Sequence, residues 1–144
     1  MGSGLMLGLM KRSVFVKTAY WIAAAVDGFV ALGMVFPKLL QPALRVAAVP
    51  SSVETRYALY VAASLMFGWT LLLIWGSAEP VARRTILLLT LAAIAGLALS
   101  TLYGYRNGYI PFGGAMSVWT MQAALTVLLG AAYGVSNRAD NGGE

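Results

Sequence analysis

Few residues of this sequence could take part in acid–base, nucleophilic or metal chemistry. Histidine and cysteine are absent from its 144 residues, and its five carboxylates are Asp27, Glu54, Glu79, Asp140 and Glu144. Disulfides, thiolate nucleophiles and histidine-ligated zinc or haem are therefore excluded. The sequence also contains no phosphate-binding loop and no dinucleotide fingerprint, and no obvious base accompanies any nucleophile. We expect a protein that is not an enzyme and that uses neither a metal nor a cofactor.

Asp27 is the ionisable residue with the least expected surroundings. Mostly apolar residues flank it on both sides, at positions 23–26 and 28–34. An Asp at the centre of a membrane helix costs on the order of 2.5–3.5 kcal/mol on insertion scales, and such residues usually face the inside of a helix bundle. The nearest expected cations, Arg56 and Arg106, lie about 15 Å away along the helix axes. Burial without a cationic partner favours the neutral carboxyl.

Two interpretations of Asp27 follow from its expected depth. In the structural one, the neutral carboxyl donates a hydrogen bond to Ser64, Thr126 or a backbone carbonyl and fixes the helix register, at about 0.6 kcal/mol per bond. In the functional one, Asp27 binds a proton or a cationic ligand, with Trp69 and Tyr60 as aromatic walls. The residues expected at its depth or one turn further out are Phe67, Gly68, Ile94, Thr126, Ser64 and Gln122.

Four long apolar stretches must position these side chains. The chain is 60% hydrophobic and 10% charged, whereas a soluble domain is about 25% charged and about 45–50% apolar. A membrane helix needs roughly 20 mainly apolar residues, and residues 18–36, 56–76, 85–105 and 117–136 qualify. We expect one all-α domain over residues 1–144, an integral membrane protein with four transmembrane helices in an up-down-up-down bundle.

Helix-end signals support these boundaries. The Ser-Ser-Val-Glu run at residues 51–54 fits a capping box before the second stretch. The Glu-Pro pair at 79–80 can open the third helix, and Asn-Gly at 107–108 can end it. Ser117 can cap the fourth. A cleavable signal peptide is the competing interpretation of the first stretch, but the apolar run continues past Asp27 to residue 36.

Pairs of small residues at four-residue spacing predict how the helices associate. Lipid solvates Leu as well as another helix does, so association in a membrane depends on close packing. Each pair would place a flat surface on one helix, for packing inside the bundle or for a homodimer. The pairs are Ala24 and Gly28, Ser64 and Gly68, Ala92 and Gly96, and Gly130 and Gly134.

The segment at residues 37–50 predicts a short interfacial helix after the first span. Lys38, Gln41 and Arg45 fall on one helical face, which would lie toward the lipid headgroups. The alternative is an ordinary loop with some ordered turns.

Positive charge favours one orientation in the membrane. Six Lys or Arg residues lie on the side of the termini and the middle loop, and four on the other side. The positive-inside rule then places both termini in the cytoplasm, with the chain in the cell (inner) membrane. The net charge of +5 lies near the ends of the predicted spans, which favours membrane orientation over binding of nucleic acid.

Aromatic and polar residues near the outer side form either an interfacial belt or the walls of a pocket. We expect membrane lipids as partners, and binding of a lipid, a hydrophobic small molecule or a partner protein in or beside the bundle. The alternative is a proton-coupled transporter of small cationic or lipophilic compounds that uses Asp27. The candidate ligand-binding residues are Asp27, Tyr60, Ser64, Trp69, Tyr103, Arg106, Trp119, Gln122 and Thr126.

Overall fold

A computed structural model describes residues 3–39, 41–44 and 52–140 of the chain, and these residues form helices joined by short turns. Four of the helices are long and apolar enough to cross a membrane, as the sequence predicts. The helices are α1 (Ser3–Val35), α2 (Gln41–Leu44), α3 (Val53–Ala78), α4 (Thr85–Arg106) and α5 (Phe112–Asp140), with a 3-10 turn at Pro37–Leu39.

Two of the long helices begin earlier than predicted. α1 starts at Ser3, and α5 starts at Phe112. Ser117 therefore does not cap the fourth helix, because its hydroxyl lies inside α5 and donates to the Gly113 carbonyl at 3.0 Å. The Pro111 carbonyl accepts the first backbone bonds of α5. The two glycines at 113–114 stay helical, since packing in the fold overrides their weak intrinsic preference.

α4 begins where the third span was predicted to begin, but the predicted helix opening at the Glu-Pro pair is wrong. Glu79 follows the last residue of α3 and α4 begins only at Thr85, so the Glu-Pro pair does not open a helix. Arg83 explains why the chain turns here. Its guanidinium donates to the Trp75 carbonyl at 2.6 Å, pairs with Glu79 at 3.2 Å and stacks 3.7 Å from the Trp75 ring centroid. A basic side chain that satisfies terminal carbonyls stabilises a helix end.

The remaining helix ends agree more closely with the sequence. Ser52 caps α3 by accepting from the Thr55 backbone N–H at 3.2 Å, one residue later than the predicted box, whose Ser51 lies outside the described residues. Asn107 and Gly108 end α4 as predicted. Gly108 has a φ of 73°, a left-handed conformation that glycine adopts at little cost.

α1 packs most extensively against α3 and also contacts α5, which in turn packs against α4. α3 and α4 touch each other at few positions. Near the α3–α4 turn, Tyr20 fits against Gly76, where a Cβ atom would come 2.7 Å from the ring. Further along, Gly28 lies against Thr70. The most buried side chains cluster near the Tyr20 contact, and they include Val16, Tyr20, Leu73, Leu87 and Leu129.

One of the four small-residue pairs packs inside the bundle. Ala24 is 3% exposed and Gly28 faces α3. The other three pairs are exposed, and a Cβ atom at Gly68, Gly96, Gly130 or Gly134 would meet nothing within 4 Å. The prediction of bundle packing is therefore wrong for these three pairs. They lie on the outer surface, where the predicted homodimer would use them.

The segment after α1 is described only in part. The 3-10 turn and α2 cover Pro37–Leu39 and Gln41–Leu44, whereas Arg45 and the rest of the predicted interfacial helix lie outside the described residues. Lys38 is exposed, but Gln41 is partly buried and lines the cleft described below. The two residues therefore do not share one outward polar face.

Candidate functional site

A cleft of about 440 Å³ lies between the long helices and is the main candidate site. It begins beside Asp27 and reaches Pro37 and Gln41. Pro37 follows Asp27 by ten positions, most of them in α1, so the cleft extends about 15 Å along that helix. Most of its lining is apolar, contributed by Val26, Phe29, Val30, Gly33, Met34, Leu59, Met66, Ile94, Leu97, Ile110, Val118, Met121 and Leu125.

Asp27 contributes the one ionisable side chain among the described residues that line this cleft. It is partly buried. Within the described part of the chain, no hydrogen-bond donor and no cation contacts its carboxyl. The backbone explains its orientation, because Gly28 beside it is turned toward Thr70 of α3 and leaves Asp27 on the neighbouring cleft face of α1.

Gln122 contributes the second polar group from α5. The residue is 7% exposed, and its Oε1 atom is buried without a hydrogen-bond partner in the described structure. Buried polar atoms are almost always paired, and leaving one unpaired costs about 1–3 kcal/mol. Gln122 therefore lines the cleft with a side chain whose Oε1 atom is itself closed off from solvent.

Ser136 is the other buried residue whose side-chain oxygen lacks a partner in the described structure, but it does not line the cleft. Its hydroxyl can turn about χ1 and donate to the preceding turn of its own helix. Gln122 Oε1 accepts only and has no such remedy.

Three hydroxyls add to the cleft surface. Each donates its hydrogen to a backbone carbonyl four residues earlier, at distances of 3.0, 2.9 and 3.0 Å. Their oxygens therefore face the cleft as acceptors. The three residues are Ser100, Thr101 and Ser117.

A second cavity of about 300 Å³ adjoins the first at Asp27. Asp27, Met66, Ile94 and Leu97 line both cavities. The second one lies where α3 and α4 diverge, and Trp69 connects these helices by donating from Nε1 to the Thr90 hydroxyl at 3.2 Å. Asp27 thus stands at the junction of a cleft and a side opening.

The structure brings together three of the nine candidate residues. Asp27 and Gln122 line the cleft, and Asp27 and Trp69 line the second cavity. Trp119 is partly buried and packs edge-on against Tyr105, with ring centroids 6.1 Å apart. The other five are exposed and line neither cavity, and they are Tyr60, Ser64, Tyr103, Arg106 and Thr126.

The hydroxyls proposed as partners of Asp27 bond to their own helices. Ser64 donates to the Val61 carbonyl at 2.8 Å, and Thr126 donates to the Gln122 carbonyl at 2.8 Å. Of the residues expected at the depth of Asp27, Ile94 lines the cleft, whereas Phe67 and Gly68 are exposed.

Much of the cleft lining was not predicted from the sequence, including Met66, Leu97, Thr101, Ser117 and Leu125. No periodic signal identifies these residues, because the long helices are apolar on all faces and a polar stripe does not mark the outside. The described residues contain no group of three side chains suited to a metal ion.

Comparison with protein family models, with curated proteins and with solved structures found no match to this chain.

Proposed function

We propose that this protein spans the cell (inner) membrane four times, in an up-down-up-down arrangement, and binds a hydrophobic small molecule in its central cleft. The lengths and apolar composition of the four helices support membrane insertion. The contacts of Tyr20 with Gly76 and of Gly28 with Thr70 support opposite directions for α1 and α3. Both termini lie in the cytoplasm by the balance of Lys and Arg, and the segment around α2 lies at the opposite membrane surface.

The volume and the mostly apolar lining of the cleft carry the proposal. The volume of about 440 Å³ falls in the range of about 300–1,000 Å³ typical of small-molecule sites, which are mostly apolar with a few convergent polar groups. Asp27 and Gln122 are those groups, and they set the orientation of the ligand.

Binding is tested with purified protein in detergent and radiolabelled single-chain amphiphiles, namely dodecanol, dodecylammonium and dodecanoate. The variant Ser100→Trp places a large ring in the cleft, whereas Leu99→Trp enlarges a neighbouring residue of α4 that is 68% exposed and lies outside both cavities. We expect saturable binding of at least one amphiphile, weakened about tenfold or more by Ser100→Trp (about 1.4 kcal/mol) and unchanged by Leu99→Trp. Equal binding by both variants, or none by the wild type, refutes the proposal.

A proton-coupled transporter is the second candidate function, and the position of Asp27 between two cavities favours it. A carrier needs a titratable group that both openings can reach, and no other ionisable residue lines either cavity in the described structure. In proteoliposomes, a proton gradient should then drive the exchange of tetrapropylammonium, a permanent cation that carries no proton itself. The exchange should disappear in Asp27→Asn. Passive leakage at the rate of empty liposomes, or ligand affinity constant from pH 5 to pH 9, contradicts this function.

A further inference from the structure

The hydrogen-bonding groups of the cleft restrict the kind of ligand that it can hold. Among the described lining residues, the polar groups are one carboxyl, three hydroxyls and two amides. The hydroxyl hydrogens of Ser100, Thr101 and Ser117 are already donated to backbone carbonyls. The amide NH₂ groups of Gln41 and Gln122 are the remaining side-chain donors, and each comes with a carbonyl acceptor. Acceptors therefore outnumber donors.

The second cavity shows the same imbalance. Thr90 donates to the Ile86 carbonyl at 2.8 Å and accepts from Trp69. The Trp69 N–H, the one donor of that side chain, is thereby occupied. These two side chains therefore have no free donor hydrogen for a ligand at Asp27.

The charge of the Asp27 carboxylate also favours a ligand that carries hydrogen-bond donors. Asp27 has no cationic partner in the described structure, and an acid in apolar surroundings remains costly until a cation or a proton accompanies it. An ammonium group supplies both a positive charge and up to three N–H donors. It can pair with the Asp27 carboxylate, and charge-assisted hydrogen bonds of this kind are the strong ones.

Taken with the apolar walls that extend about 15 Å toward Pro37, we infer that the cleft takes a cationic amphiphile, with its ammonium head at Asp27 and its hydrocarbon tail directed toward Pro37. This inference rests on the proposed function, because it names the ligand class of the same cleft. Fatty acids and other anionic amphiphiles are disfavoured, since a carboxylate head would face a carboxyl and a surplus of acceptor oxygens.

The test compares head groups on one tail at pH 7, by competition against the tightest radiolabelled amphiphile. We expect dodecylammonium to bind at least about tenfold more tightly than dodecanol, and dodecanoate to bind weakest. Asp27→Asn, which is close to isosteric, should reduce dodecylammonium affinity to that of dodecanol and leave dodecanol affinity unchanged. Gln122→Leu should weaken both ligands.

The outcomes separate this inference from the proposed function. If all three amphiphiles bind equally and Ser100→Trp still abolishes binding, the site is real and the ligand class is wrong. The ligand class is also wrong if dodecanoate binds best, or if Asp27→Asn leaves the head-group ranking unchanged. If no amphiphile binds saturably, the proposed function itself fails. The head-group ranking is measured on the wild type and does not depend on the folding of any variant. An unchanged thermal unfolding temperature of Asp27→Asn shows that its affinities can be compared with those of the wild type.

Discussion

The two halves of the helical bundle differ in how their polar side chains are paired, although Ser136, buried outside the cleft, also lacks a partner in the described structure. Near the α3–α4 turn, Tyr20 is completely buried, yet its hydroxyl donates to the Arg83 carbonyl at 2.8 Å. Arg83 in turn holds Trp75 and Glu79. Around the cleft, Asp27 and Gln122 have no side-chain hydrogen-bond partners in the described structure. The half near the α3–α4 turn is closely packed, whereas the half around the cleft is open.

Under the proposed function, this difference separates the residues that stabilise the fold from those that bind the ligand. Leu73, Leu87 and Leu129 have no exposed surface, and such close packing is what holds helices together where lipid competes for apolar contact. The cleft half lacks such packing because α3 and α4 diverge there. Stability should therefore be sensitive to changes in the packed half and tolerant of changes in the cleft, with ligand binding showing the reverse.

Removing packed volume is the strongest way to test the comparison. Leu73→Ala should lower the free energy of unfolding by about 2–5 kcal/mol, because it leaves a cavity in a completely buried position. Leu97→Ala, at a cleft residue that is 44% exposed, should change it by about 0.5 kcal/mol or less. Thermal unfolding in one detergent measures both. Similar losses for the two variants would show that the halves are equally packed.

Added volume gives the second largest expected effect. Gly76→Ala places a methyl group 2.7 Å from the Tyr20 ring and 3.0 Å from Ile86. In Gly68→Ala, on the same helix, the methyl group meets nothing within 4 Å, and only the gain in helix propensity of about 1 kcal/mol operates. The two variants should differ by about 1–3 kcal/mol in unfolding free energy, with Gly76→Ala the less stable. A smaller difference means that the Tyr20 ring can move away from position 76 at little cost in free energy.

Replacing the unpaired Gln122 amide should stabilise the protein, in contrast to the preceding variants of the packed half. Gln122→Leu removes a buried oxygen without a partner and should raise the free energy of unfolding of the ligand-free protein by about 1–3 kcal/mol. The control is Ser136→Ala, which should change stability by about 0.5 kcal/mol or less, because the hydroxyl can already bond to its own helix. Thermal unfolding of delipidated protein checks both. A destabilised Gln122→Leu would show that the amide is structural.

The smallest expected effect concerns one hydrogen bond in the packed half. Tyr20→Phe keeps the ring against Gly76 and loses the bond to the Arg83 carbonyl, which should cost about 0.5–1.5 kcal/mol. Tyr57→Phe, at a residue that is 71% exposed, is the matched control and should be neutral. Ligand affinity should stay at the wild-type value in both. A change in affinity with Tyr20→Phe would mean that the two halves are coupled.

Helix ends were predicted correctly where they depend on residues close by in the sequence. The Asn-Gly stop after α4 was correct because a left-handed residue is needed there. The predicted span at 85–105 matches α4, whereas the predicted Glu-Pro opening was wrong because the chain turns there, where Arg83 reaches back eight residues to Trp75. The start of α5 was wrong because the glycines at 113–114 stay helical in the packed fold.

The candidate site was only partly predictable from the residues. Asp27 could be identified because an acid in an apolar helix is costly anywhere, and Gln122 because it lies one turn from the same depth. Tyr60, Tyr103, Arg106 and Thr126 are on the same helices as cleft residues, yet they face outward. The depth of a residue in the bundle follows from its position along its helix. The direction in which its side chain faces depends on how that helix is rotated about its own axis.

The sequence alone determined that this chain forms four long apolar helices with one acid, Asp27, near the middle of a predicted span, because helix length and hydropathy are local properties. Only the tertiary structure decided which faces pack, that three of the four small-residue pairs point outward, and that a cleft opens between Asp27 and Pro37. When helices are apolar all round, no amphipathic stripe distinguishes inside from outside, and shape complementarity between neighbouring helices makes that choice.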